Sequence, residues 1–217
     1  MEIGDFDLPL SSMDHLYYPY FRGAVIRIEN SSHIVIDGFE IADSEWFGLA
    51  GLYSDHLTIQ HCIIHDLQAS GIYLLYCKDL TVAFNEIMRA CAWPRRLHEH
   101  GSQECISIVN STEFEVMYNR IHETKNWNYV QYQASAVGGE GIDVKEHSKN
   151  GSVHHNYVYN LMRPGLYVDA WDSKDTRNVS LYNNVVHNTQ NGVALGCENL
   201  GELNNILIYN NLLYNNW

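Results

Sequence analysis

The apolar positions of this chain repeat. NVSLYNNVVHN, from Asn178 to Asn188, recurs with substitutions as NILIYNNLLYN (Asn205 to Asn215) and NGSVHHNYVYN (Asn150 to Asn160). Toward the N-terminus the same pattern gives EFEVMYNRIHE (Glu113 to Glu123), DLTVAFNEIMR (Asp79 to Arg89), HLTIQHCIIHD (His56 to Asp66) and HIVIDGFEIAD (His33 to Asp43). The seven copies end at residues 43, 66, 89, 123, 160, 188 and 215, so their spacings are 23, 23, 34, 37, 28 and 27. Two columns of the aligned copies are aliphatic and mostly β-branched: Ile36, Ile59, Val82, Val116, Val153, Leu181, Ile208, and Ile41, Ile64, Ile87, Ile121, Val158, Val186, Leu213. Such columns suit short strands with one inward face. A column between them reads Phe39, Cys62, Asn85, Asn119, Asn156, Asn184, Asn211. Asparagines stacked at one position predict a ladder of side-chain amides bonded along the stack at a buried corner.

After most copies the chain restarts with a glycine and alternating apolar residues, as in Gly71-Ile72-Tyr73-Leu74, Gly141-Ile142-Asp143-Val144, Gly165-Leu166-Tyr167-Val168 and Gly192-Val193-Ala194-Leu195. Three short strands per repeat, joined by turns, describe a solenoid of parallel coils. Seven coils at the strand spacing of about 4.8 Å predict a rod of roughly 34 Å. On these repeats the chain, from about Gly23 to Trp217, resembles the single-stranded right-handed parallel β-helix of the pectate-lyase-like superfamily. The fold class is therefore all-β, and the handedness is what the resemblance implies. Rods of this kind need covered ends. Residues 1–22, with Tyr17, Tyr18, Tyr20 and Phe21, are expected to form a cap or a preceding segment, and the last coil is expected to associate end-on or to continue a longer stack.

Composition narrows the partners. The 217 residues carry 13 Lys+Arg against 26 Asp+Glu, a net charge of −13, which disfavours nucleic acid and anionic membranes because each phosphate contact needs a cation. No apolar run approaches the roughly 18 residues of a membrane span, and MEIGDFDLPL lacks the features of an export signal. The five cysteines lack CxxC spacing and are expected to be free thiols packed as small hydrophobes.

Two repeats are long at the same turn, through Ala90 to Gln103 and Thr124 to Glu140, and insertions that coincide in a solenoid wall a groove. The second insertion brings Trp127 and Tyr129, flat surfaces suited to sugar rings. On the adjoining strand, alternate residues are expected to point outward. In three consecutive coils that places Asp143, Lys145, Asp169, Asp172 and Glu198 on one patch, with Tyr167 and Trp171 among them. Earlier coils carry Ala50, Leu52, Tyr73, Leu75, Ser107 and Val109 at the same positions. A charged cluster confined to part of a bland strand marks a candidate site.

Two chemistries fit the cluster. Paired carboxylates on adjacent coils can serve a glycosidase, which in its retaining form sets them about 5–5.5 Å apart and needs no cofactor. GLYVDAWD resembles the nucleophile strand of β-helical β-xylosidases, which implies Asp169 as nucleophile. Their acid falls where this chain has Gly196, so Glu198 is the expected acid/base, with Asp143 and Lys145 orienting charge and substrate hydroxyls. GIDVK resembles a strand of β-helical pectate lyases, which implies a lyase with Ca2+ held by Asp143, Asp169 and Asp172. A third reading is a rod that binds glycan without cleaving it. All three give a polysaccharide or oligosaccharide partner and an extracellular or periplasmic location. Elsewhere, His98-Glu99-His100 reads as a surface loop, His65, His122 and His187 with Tyr159 and Tyr214 as a ladder along the rod, and Asn30, Asn110 and Asn178 as sequons.

Overall fold

The computed structural model describes residues 23–92, 104–124, 139–172 and 174–217. Residues 1–22 and most of both insertions, with Trp127, Tyr129 and His98-Glu99-His100, lie outside them. Among the described residues the chain is all β, with three parallel sheets of seven strands each. Ala24–Glu29 opens the first sheet, Ser32–Asp37 the second and Glu40–Ala42 the third, and each later coil lays one strand on each. Seven coils result, as the repeat count predicts.

The register keeps each column intact. Ile59 pairs with Val82, Val82 with Val116, and Val116 with Val153, and all four are buried. At the corner between the second and third sheets the asparagine ladder forms. Asn85 Nδ2 donates to Asn119 Oδ1 at 3.0 Å, Asn119 to Asn156 at 3.1 Å, Asn156 to Asn184 at 3.0 Å, and Asn184 to Asn211 at 2.9 Å. Each amide oxygen also accepts the backbone N–H of the coil before, and each amide nitrogen donates to a strand carbonyl, as Asn156 does to Val116. A hydroxyl version runs at the first corner, where Ser54, Ser111 and Ser148 accept the backbone N–H of Ser31, Cys77 and Ser111.

The corners themselves need left-handed backbone. Among the described residues at least four positions per coil have positive φ, for example Asp43, Asp66, Arg89, Glu123, Asn160, Asn188 and Asn215 at 50–57°. Asparagine tolerates this region best among residues with a Cβ, and the later coils use it throughout the column. The sequon residues Asn30 and Asn110 sit at such corners too, while Asn178 has its positive φ within the strand Asp175–Tyr182. His122, Tyr159, His187 and Tyr214 stack ring on ring at 4.8, 5.3 and 4.5 Å along the rod, while His65 bonds instead to Asp66 and Glu40. On the seventh coil, Leu195, Ile208 and Leu213 are exposed.

Removing one rung tests the ladder. Asn156→Ala strips acceptors from two N–H groups of Asn119 and donors from Val116 and Asn184, all buried. Unmade buried bonds of this kind cost about 1–3 kcal/mol each, so a loss of at least about 3 kcal/mol is expected in urea unfolding. Asn211→Ala, at the half-buried end where water can substitute, is expected to cost about 1 kcal/mol.

Candidate functional site

The first sheet departs from simple alternation. Its outer face is buried in the earlier coils, where Phe47, Leu52, Ala69, Tyr73 and Val109 form a second apolar cluster outside the coil interior. Ala50, Leu52, Tyr73, Ser107 and Val109 are therefore buried rather than outward in solvent, because both faces of this sheet carry residues that leave water. The charged positions continue that buried face. Asp143 is 2% exposed and Asp169 9%. The expectation of a solvent-facing patch is corrected accordingly: it is a buried charge cluster opening at one end.

Strands Ile106–Val109, Ile142–Lys145, Leu166–Trp171 and Val193–Glu198 lie side by side. Ser107 pairs with Asp143, Asp143 with Tyr167, and Tyr167 with Ala194, while Asp169 pairs with Gly196 and Trp171 with Glu198. Lys145 does not take Asp169 as its principal partner. Its Nζ donates to Glu104 Oε1 at 2.7 Å and lies 3.3 Å from Asp143 Oδ2. Glu104 is 3% exposed and is held from its other oxygen by Ser107 Oγ at 2.6 Å. The sequence reading missed Glu104, and it missed Glu140, which is buried and accepts Arg163 Nε and a second guanidinium nitrogen, both at 2.8 Å. The signal was positional: each glutamate stands two residues before a first-sheet strand in consecutive coils, Glu104 directly after the first insertion and Glu140 as the last residue of the second.

One ammonium cannot neutralise the surrounding acids. Burial alone would lower the Lys145 pKa, but Glu104, Asp143 and Asp169 outweigh it and hold Lys145 charged, well above its ordinary value. Burial pushes Asp143 well up, and Asp169, Glu104 and Glu140 add to this against the pull of Lys145. Glu140 is raised by burial, with Arg163 opposing. Asp169 is pushed up to about 7, first by burial and then by Glu104, Glu146 and Glu198, with Lys145 opposing. Glu140 Oε2, Asp143 Oδ1 and Asp169 Oδ1 are buried without a hydrogen-bond partner. Carboxyls in that state hold protons or await a polar ligand.

Toward the open end, the Tyr167 hydroxyl donates to Glu198 Oε1 at 3.1 Å. The phenol reaches Glu198 by crossing the next coil at Gly196, where an added Cβ would collide with the Tyr167 hydroxyl. Gly196 thus makes room for the ring that orients Glu198. Trp171 is half-buried opposite Glu198. Asp172 lies at the left-handed corner, φ 57°, and accepts Asn199 Nδ2 at 3.0 Å. Among the described residues, no three His, Cys, Asp or Glu side chains converge in an arrangement that could hold a metal ion, so Asp172 does not join Asp143 and Asp169 in such a set. Nor is any helix there long and apolar enough to cross a membrane.

The fold has known counterparts. A mutant tailspike protein of E. coli bacteriophage HK620, in complex with a pentasaccharide, superposes with a TM-score of 0.57 at 16% identity, covering 85% of this chain and 32% of the tailspike. A double mutant of the periplasmic alginate epimerase AlgG gives 0.52 at 14% identity, covering 83% and 50%. The chain therefore spans about a third and a half of these neighbours, and likeness at such identity is likeness of fold. No curated protein sequence matches. The family model of the right handed beta helix region matches residues 19–178, and with its three parallel sheets wound coil on coil, this chain belongs to the right-handed β-helix family.

Proposed function

We propose that this β-helix cleaves glycans as a glycoside hydrolase, with Asp169 as general acid and Glu198 as its partner carboxylate. The observation that carries the reading is Asp169 pushed up to about 7 by burial, on the strand facing Glu198. A carboxyl that keeps its proton near neutral pH suits proton donation to a leaving oxygen better than nucleophilic attack, so the role implied for Asp169 by the xylosidase resemblance is exchanged. The register also bears on stereochemistry. Glu198 lies two residues along from Gly196, the partner of Asp169. Strand spacing and residue rise put their backbones about 8 Å apart on the diagonal, while the Glu198 carboxylate turns back over Gly196 to the Tyr167 hydroxyl, so the retaining pair expected from the sequence remains the proposal.

The charge of the cluster favours neutral sugars. Lys145 and Arg163 are already engaged by Glu104, Asp143 and Glu140, so neither is left to bind a uronate carboxylate. Lys145 held charged is also a poor base for a lyase. The neighbouring tailspike is a protein in complex with a pentasaccharide, and the epimerase is periplasmic and acts on alginate, which supports a glycan partner and an extracellular or periplasmic setting. End-on association through the seventh coil belongs to the same proposal, since Leu195, Ile208 and Leu213 are bare there.

A panel of neutral and uronic polysaccharides, scored separately for new reducing ends and for unsaturated product, with calcium and with chelator, tests the reading. Reducing ends without unsaturation are expected, falling roughly 100-fold or more in Asp169→Asn. Unsaturated product lost with chelator would establish the lyase instead, and binding without cleavage the inert rod. Activity is expected to decline as pH rises through about 7, where Asp169 gives up its proton.

Stability carries the same signature. The raised Asp169 pKa means that its proton-linked stability is fully present below the ordinary 3.8 and is lost as pH rises through about 7. Asp169→Asn is therefore expected to flatten the pH dependence between those limits and to be more stable than the parent at pH 8, by at most about 4 kcal/mol in urea unfolding.

A further inference from the structure

The five cysteines are not equivalent. Cys62 and Cys77 donate their thiols to nearby strand carbonyls, Gln60 O at 3.2 Å and Leu75 O at 3.4 Å, and Cys197 is exposed. Cys91 and Cys105 are each 1% exposed, in one apolar cluster, at the two ends of the first insertion. The backbone brings those ends together. Cys91 N–H donates to Ala69 O at 3.0 Å, and Cys105 O accepts Ile72 N–H at 3.0 Å, so the two cysteines are pinned to points separated only by Ser70 and Gly71. A Cβ at Gly71 would lie 2.9 Å from Cys105 O, which shows how closely the returning chain sits on that segment. The two ends that flank the first insertion thus lie against one short stretch of backbone, Ala69 to Ile72.

We propose that Cys91 and Cys105 are a disulfide site that closes the base of the insertion. Bridged cysteines need Cα atoms within about 7 Å and converging side chains. The shared anchor segment supplies the first, and the Cys105 thiol is a hydrogen-bond partner of Cys91, which supplies the second. The step joins the two sulfurs and removes two protons and two electrons. Both pass to a disulfide oxidant, a thiol–disulfide oxidoreductase or oxidised glutathione, through a mixed disulfide, leaving that oxidant's two sulfurs as thiols. Burial, then Cys105 and nearby Glu104 and Glu140, raises the Cys91 thiol well above its ordinary pKa in the folded chain. The reactive thiolate is then scarce, so the bond forms during folding, before Cys91 and Cys105 are buried, and is shielded afterwards. The bridge would clamp the backbone immediately after Glu104, the residue that holds Lys145. It stands independently of the glycan-cleaving reading.

The test is refolding of the full chain in a glutathione redox buffer, then denaturation without reductant, alkylation and peptide mapping by mass spectrometry. The expected result is alkyl label on Cys62, Cys77 and Cys197, and a linked Cys91–Cys105 peptide pair lighter by two hydrogens than its reduced parts. Cys197→Ser is expected to keep the link, and reductant is expected to lower the urea midpoint of the parent but not of Cys91→Ala/Cys105→Ala. Label on all five cysteines, or Cys91 linked to a different cysteine, would overturn the proposal.

Discussion

Backbone hydrogen bonds between successive coils run the length of this rod, and they oblige every residue to sit beside its counterpart one coil away. That constraint turns a column in the sequence into a physical stack. A polar side chain in such a column is buried by its own neighbours above and below, so it survives only if they also satisfy it. Asparagine meets the condition because its amide both donates and accepts along the stack, as the run from Asn85 to Asn211 does. Serine does so at the first corner with one hydroxyl.

The same constraint governs size. Where one coil carries a large ring, the next must yield. Phe114 occupies the space a Cβ would fill at Gly151, and the Tyr167 hydroxyl does the same at Gly196. The first pairing fills the core. The second, on the outer face of the first sheet, carries a phenol across a coil to Glu198 and so belongs to the site.

The site takes its chemistry from being the charged continuation of an apolar outer face. Glu104, Glu140, Asp143 and Asp169 are all buried there, and the cations among them, Lys145 and Arg163, are too few to neutralise four carboxyls. In low dielectric the surplus is relieved by retained protons. Asp169 is the most exposed of the four carboxyls, beside exposed Glu198, and so combines a raised pKa with a place at the edge of the buried cluster.

How much of this was legible in the chain depends on whether a feature is local to a column. The seven coils, the aliphatic interior, the asparagine ladder and the ring stack from His122 to Tyr214 follow from residue type at a repeated position. Placing Asp143, Lys145, Asp169 and Glu198 on one strand face also followed from counting residues after each glycine. Burial of that face did not, because alternation says which side a residue points to and not whether that side is covered. The partners of Lys145 were hidden for a related reason. Glu104 reaches it from the end of an insertion, outside the aligned repeat, and only the folded chain brings insertion and strand together. The sequence by itself determined the solenoid, since periodic burial needs only periodic residues. Tertiary structure decided the raised pKa of Asp169 and the approach of Cys91 to Cys105, since both depend on how far water and distant chain segments are kept from, or brought to, one point in space.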